Sequence, residues 1–402
     1  MEDSGPKGSE DAECEEISEG IAVPSDSGAV ENDIAAGRKT YSGNPVPAES
    51  ISESIAPSDS DEDLLEFLEE TKPKICIVGA GGSGCNTLNR LQQIGVEGAE
   101  LIAVNTDVQD LLKIKASKKI LLGKKLTRGM GAGSNPEIGE GAAKESAKEL
   151  ESALKGASMV FITCGLGGGT GTGSAHVIAE ISKSMGALTI GIVTLPFYSE
   201  GRQRRKNALD GLNRLKKKAD TTVVIPNDKL LTIAPDLPLN TAFKLSDEVL
   251  SGASKGITEL ITKAGLVNLD FADIRTTLLN GGYAVIGSGE SSLNAKPDER
   301  ARMSIETALN SPLLDAEISN SGKALINVVG GSDMTLREAE LMVNEVSSRI
   351  SKESHIIWGA RIDEEMPKNV IKVLVLIAGA EFPEYKLELN KIEKLDIDLD
   401  SI

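Results

Sequence analysis

The stretch Cys164-Gly-Leu-Gly-Gly-Gly-Thr-Gly-Thr-Gly173 is suited to one kind of chemistry. Between Gly167 and Gly173 no side chain is larger than threonine, so backbone N–H groups can approach an anion closely. The apolar run Met159 to Thr163 precedes it and reads as a buried strand. Ser174 to Met185 follows, with Ala175, Ile178, Ala179 and Ile181 at helical spacing. The glycines therefore occupy a strand-to-helix turn, where amides and the positive helix end favour phosphate. Flexible linkers do not usually separate a buried strand from an amphipathic helix.

Two more glycine turns repeat the pattern. Gly79-Ala-Gly-Gly-Ser-Gly-Cys-Asn86 follows a predicted strand at 74–78, and Gly129, Gly131 and Gly133 punctuate Thr127 to Pro136. A separate set is carboxylic: Asp270 and Asp273 in Asn268-Leu-Asp-Phe-Ala-Asp-Ile274. Two carboxylates at that spacing can point the same way from a first helical turn. Beside a phosphate they would orient a water and hold a hydrated cation. The same spacing also fits helix capping, with Asp270 as N-cap and Asp273 in the first turn, and spacing alone favours that plainer role.

These turns need a scaffold. Strands are expected at 74–78, 101–104, 120–122, 159–163, 188–195 and 221–225, alternating with helices that include 136–155 and a basic one at 200–218. That alternation predicts an α/β fold with a doubly wound, mostly parallel sheet. Such sheets bind ligands at the carboxyl ends of their strands, where the turns 79–85, 129–133 and 165–173 emerge. A long central helix is expected over 239–263, since Phe243, Leu250, Ala253, Ile257, Leu260 and Ile261 form one apolar stripe. Its length, roughly 35–40 Å, would separate its two ends by the thickness of a small domain. Strands at 283–287, 323–329, 355–361 and 370–378 with helices at 297–309 and 335–350 predict a smaller α+β domain with a mixed sheet. The expected organisation is an acidic, disordered tail over 1–70, a nucleotide domain over 71–238, the central helix over 239–264, an α+β domain over 265–380 and a charged tail over 381–402.

Composition narrows the partners. The chain has 402 residues, 40% hydrophobic and 26% charged, with net charge −18, which argues against nucleic acid. No run of 18 apolar residues or basic-then-apolar leader occurs, so direct membrane insertion is not expected and a cytoplasmic location is. Four scattered cysteines without a CxxC pair fit a reducing compartment.

Gly79, Gly81 and Gly84 match G-x-G-x-x-G, with Asp107 some twenty residues on, so a NAD-dependent oxidoreductase is the rival reading. Against it, the loop 165–173 has no role in that fold, and His176 and His355, the two histidines, sit in no catalytic-looking loop. A P-loop is absent, so no lysine of that motif is available to the phosphates.

Together the segments 79–86, 165–173 and 268–274 resemble the FtsZ branch of the tubulin/FtsZ GTPase family, prokaryotic tubulin homologues of cell division. The resemblance spans roughly residues 73–380. It implies GTP or GDP in the cleft, with Mg²⁺. By the same resemblance Gly82, Ser83, Gly84, Cys85, Asn86, Gly169, Thr170 and Gly171 hold the phosphates, and Gly131, Ala132 and Gly133 close on the last of them. Glu200 and Arg204 fall at the ribose and phosphates. Phe243 stacks on guanine and Asp247 accepts its N–H donors, although Phe243 also belongs to the apolar stripe. Asn268, Asp270 and Asp273 become the catalytic loop.

The length of the helix adds an independent argument. Phe243 and Asp247 lie near its start and the carboxylate loop just past its end, so the two halves of the site are some 35 Å apart in one molecule. They can meet only between copies joined head to tail, a contact that makes a filament. Self-association, at the division site, is therefore expected. Residues 387–402 alternate Leu and Ile with charges and are read either as a docking peptide for cell-division and membrane-tether proteins or as a solvated tail.

Overall fold

The computed structural model describes residues 72–382, apart from 234–237, 264, 268, 294 and 315. The expectations for the segment 1–70, for 387–402 and for Asn268 lie outside the described residues. In chain order the elements are β1 (Ile75–Ala80), α1 (Gly81–Ile94), β2 (Ala99–Asn105), α2 (Val108–Lys113), β3 (Lys118–Leu121), α3 (Pro136–Glu145), α4 (Ala147–Leu154), β4 (Met159–Gly165), α5 (Thr170–Ser184), β5 (Leu188–Leu195), α6 (Arg202–Lys218), β6 (Thr221–Pro226), α7 (Asn227–Ile233), α8 (Leu239–Thr262), α9 (Phe271–Leu278), β7 (Gly282–Glu290), α10 (Pro297–Leu309), β8 (Lys323–Gly330), α11 (Leu336–Arg349), β9 (His355–Ile362) and β10 (Ile371–Ala378).

The strands form one sheet in the order β3-β2-β1-β4-β5-β6-β7-β10-β8-β9. From β3 to β7 every pairing is parallel, whereas β10 runs antiparallel to both β7 and β8. The mixed part expected for the C-terminal strands is thus present. It joins the parallel part at a short seam, Thr221↔Gly282 to Val223↔Ala284.

Alternate residues of each central strand go to opposite faces, as in a parallel sheet covered on both sides. Ile75 and Ile77 of β1 belong to a core on one face with Leu88 and Leu91 of α1 and Leu250 and Ile257 of α8. Cys76, Val78 and Ala80 belong to the core on the other face, which includes Ala175 and Ile178 of α5 and Leu212 and Leu215 of α6. The apolar stripe of α8 is what seats that helix. Its 24 residues run roughly 36 Å.

Two local readings change. The helix expected over 136–155 is two helices, because Ser146 leaves helical geometry (φ −95°, ψ 14°) and its hydroxyl accepts the Gly123 N–H at 3.0 Å. Asp107, the carboxylate of the dinucleotide reading, instead caps α2: its Oδ1 accepts from the N–H groups of Gln109 and Asp110 at 2.8 and 3.2 Å.

Candidate active site

A cavity of about 440 Å³ lies at the carboxyl ends of β1, β4 and β5. Ala80 to Ser83 and Gly168 to Gly171 line it, so α1 and α5 both begin on its wall. Neither helix has a side-chain N-cap hydrogen bond, and neither has an acid in its first turn. Two sets of terminal N–H groups and two positive helix ends therefore converge on one space, which suits a polyphosphate. Arg204 is the one cation among the lining residues. It is held by Glu200 Oε2, while Glu200 Oε1 accepts the Phe197 N–H at 2.8 Å.

The glycines divide into two kinds. At Gly84, Gly169 and Gly173 a Cβ would stand 2.3 Å from Thr163 O, 2.8 Å from Ala132 Cβ and 2.1 Å from Pro136 O. These positions let elements pack closely. Gly82 and Gly168 line the cavity with nothing within 4 Å of a Cβ and no positive φ. Packing does not require glycine there, whereas a ligand against the backbone would. We expect Gly173→Ala to cost about 3 kcal/mol in stability by overpacking, read as a fall in melting temperature. Gly168→Ala should leave melting unchanged and weaken binding of a polyphosphate ligand about tenfold, the loss of one close backbone contact.

The first turn places Gly82, Ser83 and Asn86 on the cavity wall, with Gly84 buried behind them. Cys85 also faces away: its thiol is fully buried near the carbonyls of Gly79 and Val104, and burial pushes it up to about 12. Of the third turn, Ser134 reaches the cavity; Ala132 is buried behind Gly169, Gly131 is half-buried and Gly133 is exposed. That turn is tied down by the Gly131 N–H, which donates to Thr106 O at 3.1 Å.

The far end of the cavity is walled by Phe243 and Asp247 from the start of α8. Phe243 is 38% exposed and meets Phe197 edge to face, with ring centroids 5.3 Å apart. Core packing thus does not account for it. Asp247 is half-buried and, among the described residues, accepts no hydrogen bond; burial pushes its carboxyl up to about 7. Thr194, Asn227 and Ser246 also line the cavity and were not singled out in the sequence, with Ser246 donating to Asn227 Oδ1 at 2.9 Å. Thr194 and Asn227 lie at or just after the carboxyl ends of β5 and β6, so the strand-end rule was a signal for both.

Beyond the other end of α8, Asp270 caps α9, its Oδ1 accepting the Asp273 N–H at 2.9 Å. The plain capping role is therefore real. Both carboxylates are exposed, and among the described residues neither forms an ion pair. Neither lines the cavity.

The family model described as the Tubulin/FtsZ family GTPase domain matches residues 74–235, and that of the FtsZ family C-terminal domain matches residues 282–381. Cell division protein FtsZ 1 of Methanocaldococcus jannaschii is 56% identical over 340 residues, covering 84% of this chain and 92% of the relative. The chain belongs to the FtsZ family. It is accordingly a GTPase and a GTP-dependent cytoskeletal protein of cell division. FtsZ 1 of Thermococcus kodakarensis is likewise 56% identical, over 84% of this chain and 89% of its own length. The solved empty FtsZ dimer of M. jannaschii superposes with a TM-score of 0.75 at 57% identity, covering 80% of this chain and 92% of that one. CetZ2 of Haloferax volcanii, solved as a GTPγS-bound protofilament, gives 0.69 at 25% identity, covering 82% and 100%. The dinucleotide reading finds no support among these FtsZ relatives.

Proposed function

We propose that the cavity takes GTP with its phosphates over the starts of α1 and α5 and its base between Phe243 and Asp247, and that hydrolysis is completed by the carboxylate loop of the next subunit. The observation that carries this reading is the pair of uncapped helix N-termini on one cavity. The amides of Gly82, Ser83, Gly84, Cys85 and Asn86 and of Gly169, Thr170 and Gly171 take the phosphate oxygens. The turn Gly131-Ala132-Gly133 closes on the terminal phosphate, and Glu200 and Arg204 meet the ribose. Asn268, Asp270 and Asp273 approach from the neighbouring copy, and the carboxylates orient the attacking water and accept its proton. The roughly 36 Å of α8 supports completion between molecules, because one chain cannot bring its own loop to its own cavity.

Mg²⁺ would accompany the nucleotide. Among the described residues no group of three or more His, Cys, Asp or Glu could hold a metal. That fits an ion carried chiefly by phosphate oxygens and water, the usual state of Mg²⁺ beside a nucleotide. It would neutralise charge that the lone Arg204 does not.

In this reading residues 71–238 are the nucleotide domain, 239–264 the connecting helix and 265–380 the domain that supplies the loop. The filament works at the division site, on the cytoplasmic side, with 387–402 docking other division and tether proteins. No described helix is long and apolar enough to cross a membrane. The test is GTP turnover per molecule against protein concentration. It is expected to rise steeply above an assembly threshold, and a rate independent of concentration would overturn the shared site.

A further inference from the structure

The last turn of α9 is fastened to two strands. The Lys323 ammonium, on the first residue of β8, donates to the carbonyls of Thr276 and Leu279 at 3.0 and 2.8 Å. The Thr221 hydroxyl, on the first residue of β6, donates to Leu278 O at 2.5 Å. These are carbonyls a helix end leaves without intrahelical partners, Leu278 O also accepting the Gly281 N–H at 3.4 Å, and a cation is favoured at that end by the helix dipole. The Lys323 ammonium gives both hydrogen bonds to this helix and its C-cap, and among the described residues it forms no ion pair. The helix thus sits astride the seam, with β6 holding it from the parallel side and β8 from the mixed side.

At its entry the chain is tied differently. Val267 and Ala360 of β9 exchange backbone hydrogen bonds at 3.2 and 3.4 Å, and Leu269 packs over Gly359. Within α9, Ile274, Thr277 and Leu278 are buried while Asp270 and Asp273 are exposed. A helix of 8 residues is too short to hold its own axis in water, so its anchors decide where it points.

The geometry points to Lys323 as a positioning residue for GTP hydrolysis, fixing the axis of α9 and with it the place where Asp270 and Asp273 meet the nucleotide of the next subunit. This rests on the reading of those carboxylates as the catalytic pair. The lever is short but sufficient: from Leu279 back to Asp270 is ~13 Å of helix, so a tilt of about 5° moves the carboxylates about 1 Å. Misplacement on that scale costs up to about a hundredfold in rate.

The experiment compares full-length Lys323→Met, which removes the ammonium and keeps much of the stem, with Lys323→Arg. Phosphate release is measured on assembled protein, filament mass by sedimentation and GTP affinity on unassembled protein. The Met variant is expected to lose about tenfold in turnover per assembled subunit, with filament mass and GTP affinity within twofold of wild type. The Arg variant should recover at least about half of the rate, since a cation again reaches the two carbonyls. Unchanged turnover in the Met variant, a loss matched by equal losses of filament or affinity, or an Arg variant as slow as Met would each overturn the assignment. If Lys323→Met does not fold, Lys323→Gln decides: a neutral donor as fast as wild type overturns it, and a rate below that of Arg supports it. Asp270→Asn separates the two claims. Full turnover in that variant defeats the loop reading itself, whereas its loss beside a fully active Lys323→Met defeats only the role of Lys323.

Discussion

Asp270→Asn is expected to bind GTP normally and to lose at least a hundredfold in turnover. Its Oδ1 accepts the Asp273 N–H in the wild-type chain, and asparagine is nearly as good an N-cap as aspartate. The substitution therefore removes a charge and little else. Melting temperature should hold, because the cap is kept. Binding should hold, because the cavity lies at the opposite end of α8, roughly 36 Å off. Turnover should fall, because a positioned general base contributes about 10²–10⁴-fold. Alanine is the weaker probe: it would also remove the cap, about 1 kcal/mol, and mix a structural loss with the chemical one. Turnover within twofold of wild type would reduce Asp270 to its capping role, and loss of binding would contradict the separation of the two ends.

The same separation makes the variant a test of shared catalysis. Asp247→Ala should fail to hold guanine but keep an intact loop; Asp270→Asn should hold GTP but lack a working loop. Each alone is slow. Mixed in equal amounts they create one productive contact, Asp270→Asn nucleotide under an Asp247→Ala loop, about a quarter of random head-to-tail pairings. Recovery toward that fraction is expected, and a mixture no faster than its components would place the chemistry within one chain.

What the sequence disclosed depended on how local the cause was. Gly79 to Asn86 and Gly165 to Gly173 announced strand-to-helix turns because few residue types permit that path, and α1 and α5 do start there. The stripe from Leu250 to Leu260 announced α8 because burial follows a 3.6-residue period. The break at Ser146 was not legible, since its hydroxyl answers to Gly123, 23 positions away. The rank of the glycines was hidden for the same reason. Gly84 and Gly168 look alike in a string, yet one is pressed against Thr163 O and the other faces open space. The seam that joins β6 to β7 is likewise set by pairing across a long connection, and the anchor at Lys323 depends on the further pairings through β10 that place β8 in the same sheet.

Asp247 carries the second large effect, and pH exposes its sign. Guanine offers two neighbouring N–H donors that a carboxylate can accept together, and adenine does not. Asp247→Ala should raise the Kd for GTP by at least about a hundredfold, since hydrogen bonds to a charged acceptor contribute about 1.5–3 kcal/mol each. In the free protein burial holds this carboxyl up at about 7, so at lower pH it is protonated and half its accepting capacity is gone. Binding should therefore weaken as pH falls, by about tenfold between pH 8 and pH 6 for one group titrating near 7. Stability of the free protein runs the other way. The folded pKa lies above the ordinary value of 3.8, so the native state binds the proton more tightly than the unfolded chain. That contribution is complete below about pH 4 and is lost as pH rises through 7. Asp247→Asn should flatten both slopes, and subtracting its binding curve removes the titration of the phosphates themselves. The measurement is GTP affinity at pH 6, 7 and 8 beside melting temperature without nucleotide. Slopes identical in wild type and Asp247→Asn would mean that this carboxyl does not read the base. Opposite slopes, both erased by the amide, would mean that the nucleotide supplies the donors the folded protein leaves this side chain without.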